Sequence, residues 1–337
     1  MLIKKIVCGY EYNFVIDDND NVYGQGLNIS GQLGIGNEAP RSSRVKINHQ
    51  FKKIMCGYNH SFAFDKLGIT YCWGCNINGQ LGLGDNHTRL VPTLFNYKFR
   101  KIICSYEYNY AYDFDENIYK WGKSFRNYRF IVKPLKSKYI YKKIVCGVNY
   151  IFAFTPNNII YCQGHNGYGQ LGISGNIYYR SKPIKFDYNF IKIISGYKFN
   201  FAFGQDRQIY CWGCNDYGQL GLGDICRNDI IYVPTRFNYQ FKKIICSKIY
   251  SYAIDFNENV YCWGGRGYLN IPTKYPYKFK KLICGYDKIF GFDYDGFMYD
   301  KFIDPIKMIS IERSLFPLSV MKILKSKKII DLKIIYS

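Results

Sequence analysis

The sequence of 337 residues lacks the patterns that mark membrane spans, secretion signals and common active sites. No stretch reaches 18 consecutive apolar residues, and the N-terminus has no apolar core of the kind a signal peptide requires. Phosphate-binding loops, nucleophile elbows and paired-carboxylate motifs are missing as well. We therefore expect an intracellular protein of the nucleus or cytoplasm, without a membrane span, a cofactor or catalytic activity.

Histidine is scarce, and no helical pattern interrupts the chain. The four histidines are His49, His60, His87 and His165. They are scattered without a recurring nucleophile partner, which disfavours a catalytic constellation.

The sequence does contain an internal repeat. Gly-Gln-Leu-Gly occurs at residues 31–34, 79–82, 169–172 and 218–221. A second marker, Lys-x-Ile-x-Cys or a close variant, recurs with its last position at Cys8, Cys56, Cys104, Cys146, Ser195, Cys246 and Cys284. A period of this length is typical of propellers and solenoids. The markers divide the chain into seven units, at about residues 1–48, 49–96, 97–138, 139–187, 188–238, 239–276 and 277–337.

Each unit has the pattern of short strands. In the first unit, a β-branched run at 3–9 is followed by alternation at 12–16, turn residues at 17–21 and a third run at 22–26. The pattern predicts an all-β, seven-bladed β-propeller with repeats of about 40–50 residues and a degenerate last blade. All 337 residues are expected to form one domain. Residues 324–337 would add an outer strand to the last blade or close the ring beside the first.

The Trp-Gly and Gly-Gln-Leu-Gly elements resemble the regulator of chromosome condensation (RCC1) family of repeats. The signature residues are Trp73, Gly74, Gly79, Gln80, Leu81 and Gly82, and again Trp212, Gly213, Gly218, Gln219, Leu220 and Gly221. All four tryptophans occupy one position of the unit, and Gln25 and Gln163 fill it in two others. The resemblance implies a seven-bladed propeller. His60 matches a histidine common in a turn of the family, for which we expect a structural role.

The thirteen cysteines allow two interpretations. Cys72 and Cys75, like Cys211 and Cys214, have the Cys-x-x-Cys spacing of a zinc half-site or redox pair. These pairs belong to the second and fifth blades, which are not neighbours in a seven-membered ring. We therefore predict no metal site and buried, apolar roles for the repeated thiols. The odd count leaves at least one thiol free, which is consistent with a reducing compartment.

A lysine recurs three residues before the last position of the second marker in every unit. The seven are Lys5, Lys53, Lys101, Lys143, Lys192, Lys243 and Lys281. On a propeller they would form a ring of cations around one face. Acidic hairpins return to the same face, so the alternative is that the two sets neutralise one another.

A second basic feature lies in a stretch of sequence that has no acidic residues to neutralise it. Residues 117–186 contain no Asp or Glu and contribute +12 of the formal charge of +21. We predict an anion-binding surface across the third and fourth blades, formed by Lys120, Lys123, Arg126, Arg129, Lys133, Lys136 and Lys138. Clustered cations bind phosphate backbones, and interleaved aromatic rings stack on exposed bases. The alternatives are a solvated edge of a degenerate blade, or basicity that reflects an A+T-rich coding sequence.

Three functional classes follow. The first is a non-enzymatic scaffold that binds nucleic acid, chromatin or an acidic protein surface. The second, implied by the family resemblance, is a guanine-nucleotide exchange factor for a small GTPase. The family would place its exchange element in the third blade, but the third unit is short and has no insertion. The third class is a recruitment adaptor like those of ubiquitin ligases and trafficking complexes.

Overall fold

The structure, a computed structural model, describes residues 3–123, 130–175, 177–223, 229–265, 269–286, 289–294 and 298–300. These residues form 27 β-strands in seven antiparallel sheets, of which six have four strands and the last has three. Within them, no helix is long and apolar enough to cross a membrane. The predicted all-β, seven-bladed propeller with a reduced last blade is therefore confirmed.

The strands follow one another as a meander in every blade. Blades 1 to 4 contain β1 (Ile3–Cys8), β2 (Tyr12–Asp17), β3 (Asn21–Gly26), β4 (Arg41–Gln50), β5 (Lys53–Cys56), β6 (His60–Phe64), β7 (Thr70–Gly74), β8 (Arg89–Leu94), β9 (Lys101–Cys104), β10 (Tyr108–Tyr112), β11 (Ile118–Lys123), β12 (Phe130–Lys136), β13 (Lys143–Cys146), β14 (Tyr150–Phe154), β15 (Ile160–His165) and β16 (Tyr179–Lys185). Blades 5 to 7 contain β17 (Phe190–Ser195), β18 (Phe199–Gly204), β19 (Ile209–Cys214), β20 (Ile230–Phe237), β21 (Lys243–Cys246), β22 (Tyr250–Ile254), β23 (Val260–Gly264), β24 (Leu269–Lys274), β25 (Lys281–Cys284), β26 (Ile289–Phe292) and β27 (Met298–Asp300).

The first strand of each blade is innermost. The innermost strands of blades 1 and 2, 2 and 3, 4 and 5, 5 and 6, and 6 and 7 contact one another, and β25 of the last blade contacts β1 of the first. Between blades 3 and 4, Ser105 donates its hydroxyl to the main-chain oxygen of Gly147, so the ring is closed. The predicted role of residues 324–337 in closing it lies outside the described residues. Because every blade has the same strand order, the first strands of all blades run along the central channel in the same direction, from one end to the other. Equivalent residues therefore form rings around the channel.

Aromatic side chains fill the spaces between blades. Phe14 of blade 1 and Phe51 both pack against Trp73 of blade 2, with Phe51 stacked on the indole at a centroid distance of 5.4 Å. All three side chains are fully buried. Blades 2 and 3 repeat the arrangement around Trp121. Such rings bury large apolar areas, which explains why so many of the chain's Phe and Tyr residues are needed as inter-blade core.

The repeat signature forms the link from one blade to the next. Each Trp donates its indole N–H to the main-chain oxygen of the Gln in the preceding blade's Gly-Gln-Leu-Gly turn. The bonds are Trp73 to Gln32 (2.9 Å), Trp121 to Gln80 (3.0 Å), Trp212 to Gln170 (3.1 Å) and Trp263 to Gln219 (2.9 Å). The Leu of each turn is fully buried. The signature residues of this chain are thus structural.

Candidate anion-binding surfaces

The exposed part of the predicted basic surface lies on the rim of the ring. Lys133 and Lys136 are on β12, the outermost strand of blade 3, and Lys138 follows it; all three are exposed. Lys182 and Lys185 are exposed on β16, the outermost strand of blade 4. The two outer strands therefore present five cations on adjacent blades.

Aromatic rings accompany these cations. Phe130 is 44% exposed at the start of β12, and Tyr178 and Tyr179 beside β16 are 73% and 40% exposed. The Lys138 ammonium lies 5.5 Å from the centre of the Tyr139 ring, a cation–π distance. The rim thus combines charge with exposed rings, as surfaces that bind single-stranded nucleic acid do.

The other predicted residues of this surface are placed differently. Arg126 and Arg129 lie outside the described residues. The ammonium of Lys123 is 2.6 Å from a carboxylate oxygen of Glu107, and both side chains are less than one-third exposed. Sequence reasoning missed this partner because Glu107 precedes the acid-free stretch and reaches Lys123 only through strand pairing.

Lys120 occupies an inward position. It precedes Trp121 in β11. The equivalent position in blades 2, 5 and 6 is occupied by Cys72, Cys211 and Cys262, which are fully buried. Burial lowers the pKa of the Lys120 ammonium. The Gly-Gln-Leu-Gly sequence, whose Leu is fully buried in the blades that have it, does not occur in the third unit.

The second set of cations surrounds one end of the central channel. The seven repeated lysines begin the innermost strands or lie at their third position; we call Lys5, Lys53, Lys101, Lys143, Lys192, Lys243 and Lys281 the lysine ring. In five blades the ammonium lies 5.2–5.9 Å from the centre of an aromatic ring on the neighbouring strand, the partners being Phe64, Tyr112, Phe154, Phe203 and Phe292. The aromatic partner positions the ammonium without neutralising it.

The lysine ring is crowded. Burial, together with repulsion from Lys5 and Lys101, lowers the pKa of Lys53. The pKa of Lys143 falls for the same reasons, with Lys192 and Lys101 as neighbours, and that of Lys243 falls with Lys192 and Lys281 beside it. Lys53, Lys143 and Lys243 therefore each sense the charge of lysines beside them in the ring.

The acidic hairpins form no ion pair with these lysines in the part of the chain that the structure describes. The ion pairs of this face join Asp20 to Lys4 and Lys66, at 2.7 and 3.1 Å, and Glu116 to Arg100, at 2.6 Å. In four hairpins the first Asp instead accepts backbone N–H groups of its own turn; Asp17, for example, accepts those of Asn19 and Asn21. The alternative of mutual neutralisation is therefore not supported by direct ion pairs to the lysine ring.

Tyrosines close the opposite end of the channel. The position two residues after the last residue of the innermost strand holds a Tyr in five blades, namely Tyr10, Tyr58, Tyr106, Tyr197 and Tyr286. The Tyr10 ring lies 3.8 Å from that of Tyr58 and 4.0 Å from that of Tyr286, and Tyr58 lies 3.9 Å from Tyr106. Sequence reasoning did not use this repeat, although the Cys-Gly-Tyr run signals it. A ligand on the axis would therefore enter at the lysine end.

The twelve described cysteines form no disulfide. Burial raises the pKa of Cys162 and of Cys262 to about 12, which suppresses the thiolate. The four that precede a Trp or its equivalent are buried as predicted, while the six that end innermost strands are only half-buried. Among the described residues, no group of three His, Cys, Asp or Glu could hold a metal ion.

His60 belongs to the contact between blades 2 and 3. Its side chain is fully buried, and its Nε2 lies 2.7 Å from Oδ1 of Asn109. Burial lowers the pKa of the imidazole to about 4. Tyr12 donates its hydroxyl to the His60 main-chain oxygen, just as Tyr150 donates to that of Phe199. These bonds support the expected structural role.

Repeat, ring closure and turn-to-Trp links together define a seven-bladed repeat propeller. The sequence matches the regulator of chromosome condensation (RCC1) repeat at residues 19–64, 68–112 and 206–254, and a second model of that repeat at 190–219. The protein is an RCC1-like repeat propeller. Comparison with curated proteins gave no match.

Solved structures share this fold. Prp20p from Saccharomyces cerevisiae, described with its binding to Gsp1p and histones, is 21% identical, with a TM-score of 0.67 over 81% of this chain and 76% of that one. Yeast RCC1 (Prp20) bound to Kap60 is 20% identical, with a TM-score of 0.70 over 93% of this chain and 83% of that one. Human WBSCR16 is 18% identical, with a TM-score of 0.67 over 85% of each chain. At these identities, the likeness concerns the fold.

Proposed function

We propose that this propeller is a non-enzymatic scaffold that binds nucleic acid through the outer strands of blades 3 and 4. The observation that carries the proposal is the pair of adjacent outer strands, β12 and β16, with exposed lysines in a stretch of 70 residues without a carboxylate side chain. A phosphate backbone laid along this rim would release counterions from each lysine it contacts.

The exposed rings indicate the form of nucleic acid. Phe130, Tyr178 and Tyr179 stand beside the lysines with much of their surface in solvent. Stacking of unpaired bases on such rings is tolerant of sequence, whereas a duplex offers its backbone only. We expect tighter binding to single strands than to duplexes, with little sequence preference.

The relatives and the thiols are consistent with this proposal. Prp20p is described as binding histones, so a propeller of this fold can bind a component of chromatin. The twelve described cysteines form no disulfide, which suits a compartment that keeps thiols reduced, such as the nucleus or cytoplasm.

Guanine-nucleotide exchange is the second candidate, because Prp20p is also described as binding the protein Gsp1p. Exchange requires an element that reaches the nucleotide site of a GTPase, and the short third unit offers no insertion for it. A recruitment adaptor is the third candidate and would use the propeller faces for protein contacts.

A salt series separates these candidates. Purified protein is titrated against labelled single-stranded and duplex DNA at neutral pH, and nucleotide release from a small GTPase is followed beside it. The scaffold proposal predicts binding that weakens steeply with salt, and no nucleotide release. Absence of binding at low salt would refute it, and nucleotide release would favour the exchange factor.

A further inference from the structure

The lysine ring has the features of a site and not merely of a charged surface. Seven equivalent positions around one axis all carry Lys, while the residue before each is more variable and includes Ile191 in blade 5. The strand register fixes where every one of these side chains starts, since Lys53 pairs with Phe64 and Lys143 with Phe154. The cations are thus held at matching heights around the channel end.

Among the described residues, no carboxylate forms an ion pair with the lysine ring. The flanking Lys4 and Arg100 take the hairpin carboxylates, and the lysine ring takes none among the described residues. Burial, and after it repulsion between ring members, lowers the pKa of Lys53, Lys143 and Lys243. A ligand with several negative charges would relieve this repulsion, because it replaces like-charge neighbours by opposite ones.

The shape restricts the ligand. The tyrosine cluster of Tyr10, Tyr58, Tyr106 and Tyr286 closes the far end of the channel, so the site has one mouth. A ring of cations around one mouth matches a compact anion with charges on all sides. A straight duplex laid across it would contact only two opposite sectors.

We propose that the lysine ring binds a compact polyphosphate anion, of the inositol polyphosphate type, on the axis of the propeller. Charge-assisted hydrogen bonds from several lysines to separate phosphates would hold it. The same chemistry occurs in soluble inositol polyphosphates and in phosphoinositide headgroups of membranes. The site is separate from the nucleic-acid surface proposed for the rim and does not depend on it.

The chain provides its own matched control. The variant K53Q/K143Q/K243Q removes three charges from the lysine ring, and K52Q/K142Q/K242Q removes the same number from the residues that immediately precede the same three strands. Binding of inositol hexakisphosphate is measured by calorimetry. We expect one equivalent bound by the unaltered protein, and affinity reduced roughly tenfold or more in the ring variant. The flanking variant should lose less than about threefold, as expected for exposed charges.

Equal losses in the two variants, or no binding by the unaltered protein, would overturn the proposal. A variant of the rim, K133Q/K136Q/K185Q, should bind inositol hexakisphosphate normally, which separates this proposal from the nucleic-acid one. Sedimentation with vesicles that contain phosphatidylinositol 4,5-bisphosphate shows whether the protein also binds the phosphorylated inositol headgroup in a membrane. Binding of either the soluble or the membrane ligand that is weakened in the lysine-ring variant supports the site.

A second measurement needs no variant. Lysines of the unaltered protein are acetylated with and without inositol hexakisphosphate, and the modified positions are read by mass spectrometry. Protection of Lys53, Lys143 and Lys243 with continued labelling of Lys52, Lys142 and Lys242 supports the site. Protection that does not distinguish the two sets contradicts it.

Discussion

The indole N–H of Trp73 donates a hydrogen bond of 2.9 Å to the main-chain oxygen of Gln32, and this bond joins blade 2 to blade 1. A Trp occupies the position only in blades 2, 3, 5 and 6, each of which follows a blade with a Gly-Gln-Leu-Gly turn. Where the preceding turn is missing, Gln25 and Gln163 bond instead to Ser42 and Ser181 of their own outer strands. Turn and Trp are therefore a unit shared between neighbouring blades.

The substitution Trp73→Phe tests this unit. It keeps an aromatic ring but removes the shorter of the two hydrogen bonds to the Gln32 carbonyl, the other coming from the Ser61 hydroxyl at 3.3 Å. The loss should lower the free energy of unfolding by about 1 kcal/mol beyond the effect of poorer packing. Phe51→Leu is the control, since it trims the ring stacked on Trp73 without removing a hydrogen bond. Denaturant unfolding of both variants gives the comparison. A Trp73→Phe variant no less stable than the control would contradict the account.

The tight packing of the turn against the next blade predicts a difference between two glycines. Gly82 and Gly68 have φ of 71° and 79°, so alanine is strained at both. A Cβ at Gly82 would lie 2.9 Å from the Trp121 indole, whereas one at Gly68 would meet nothing within 4 Å. We expect Gly68→Ala to cost about 1 kcal/mol and Gly82→Ala clearly more. Equal costs by denaturant unfolding would show that the indole contact is unimportant.

The buried His60 predicts a pH dependence of stability. Its pKa is about 4 in the folded protein against an ordinary value of 6.5, so the unfolded chain binds the proton more tightly. The stability that a neutral His60 provides is complete above pH 6.5 and is lost as the pH falls towards 4.

The control for this prediction is His60→Tyr, because blades 1, 3 and 4 carry Tyr at the equivalent position. In blade 4, Tyr150 donates its hydroxyl to Asn200, and the tyrosine introduced in blade 2 would face Asn109 in the same way. The fold should therefore tolerate the change. Unfolding curves between pH 7 and 4 should be flatter for the variant. Identical pH profiles would mean that His60 does not titrate differently in the folded and unfolded chains.

The Lys123–Glu107 ion pair makes a prediction for binding. Glu107→Gln removes the carboxylate that compensates Lys123, so DNA affinity should rise and the salt dependence should steepen by up to about one phosphate contact. Fluorescence anisotropy across a salt series measures both. Asp187→Asn, next to the exposed Lys185, is the matched change of charge on blade 4. If neither Glu107→Gln nor Asp187→Asn changes the salt dependence of DNA affinity, the contact surface lies elsewhere.

Most of the fold could be predicted from the sequence because its information is local and repeated. The Gly-Gln-Leu-Gly turns set the period, and the alternating runs set the strands. Charge compensation could not be predicted, since it depends on which side chains strand pairing brings together. Glu107 reaches Lys123 across the β10–β11 hairpin, and Lys120 takes a position that buried cysteines occupy in blades 2, 5 and 6.

The lysine and tyrosine rings illustrate the same limit. Their positions are periodic in the sequence, so their arrangement around the channel follows once the propeller is recognised. Whether the ring at the lysine end is neutralised depends on the rotamers of Lys4, Asp20, Arg100 and Glu116, which no repeat pattern encodes.

The most direct test of the scaffold proposal compares two triple variants in single-stranded DNA binding. K133Q/K136Q/K185Q removes charges from the outer strands of blades 3 and 4. The control, K46Q/R236Q/K274Q, removes the same charge from outer strands of blades 1, 5 and 6, at positions that pair with Tyr23, Tyr210 and Tyr261 as Lys136 pairs with Tyr119. We predict that the first variant flattens the salt dependence by about one unit for each phosphate that the protein no longer neutralises, and that the control leaves it nearly unchanged. Equal slopes for the two variants would contradict the proposed surface.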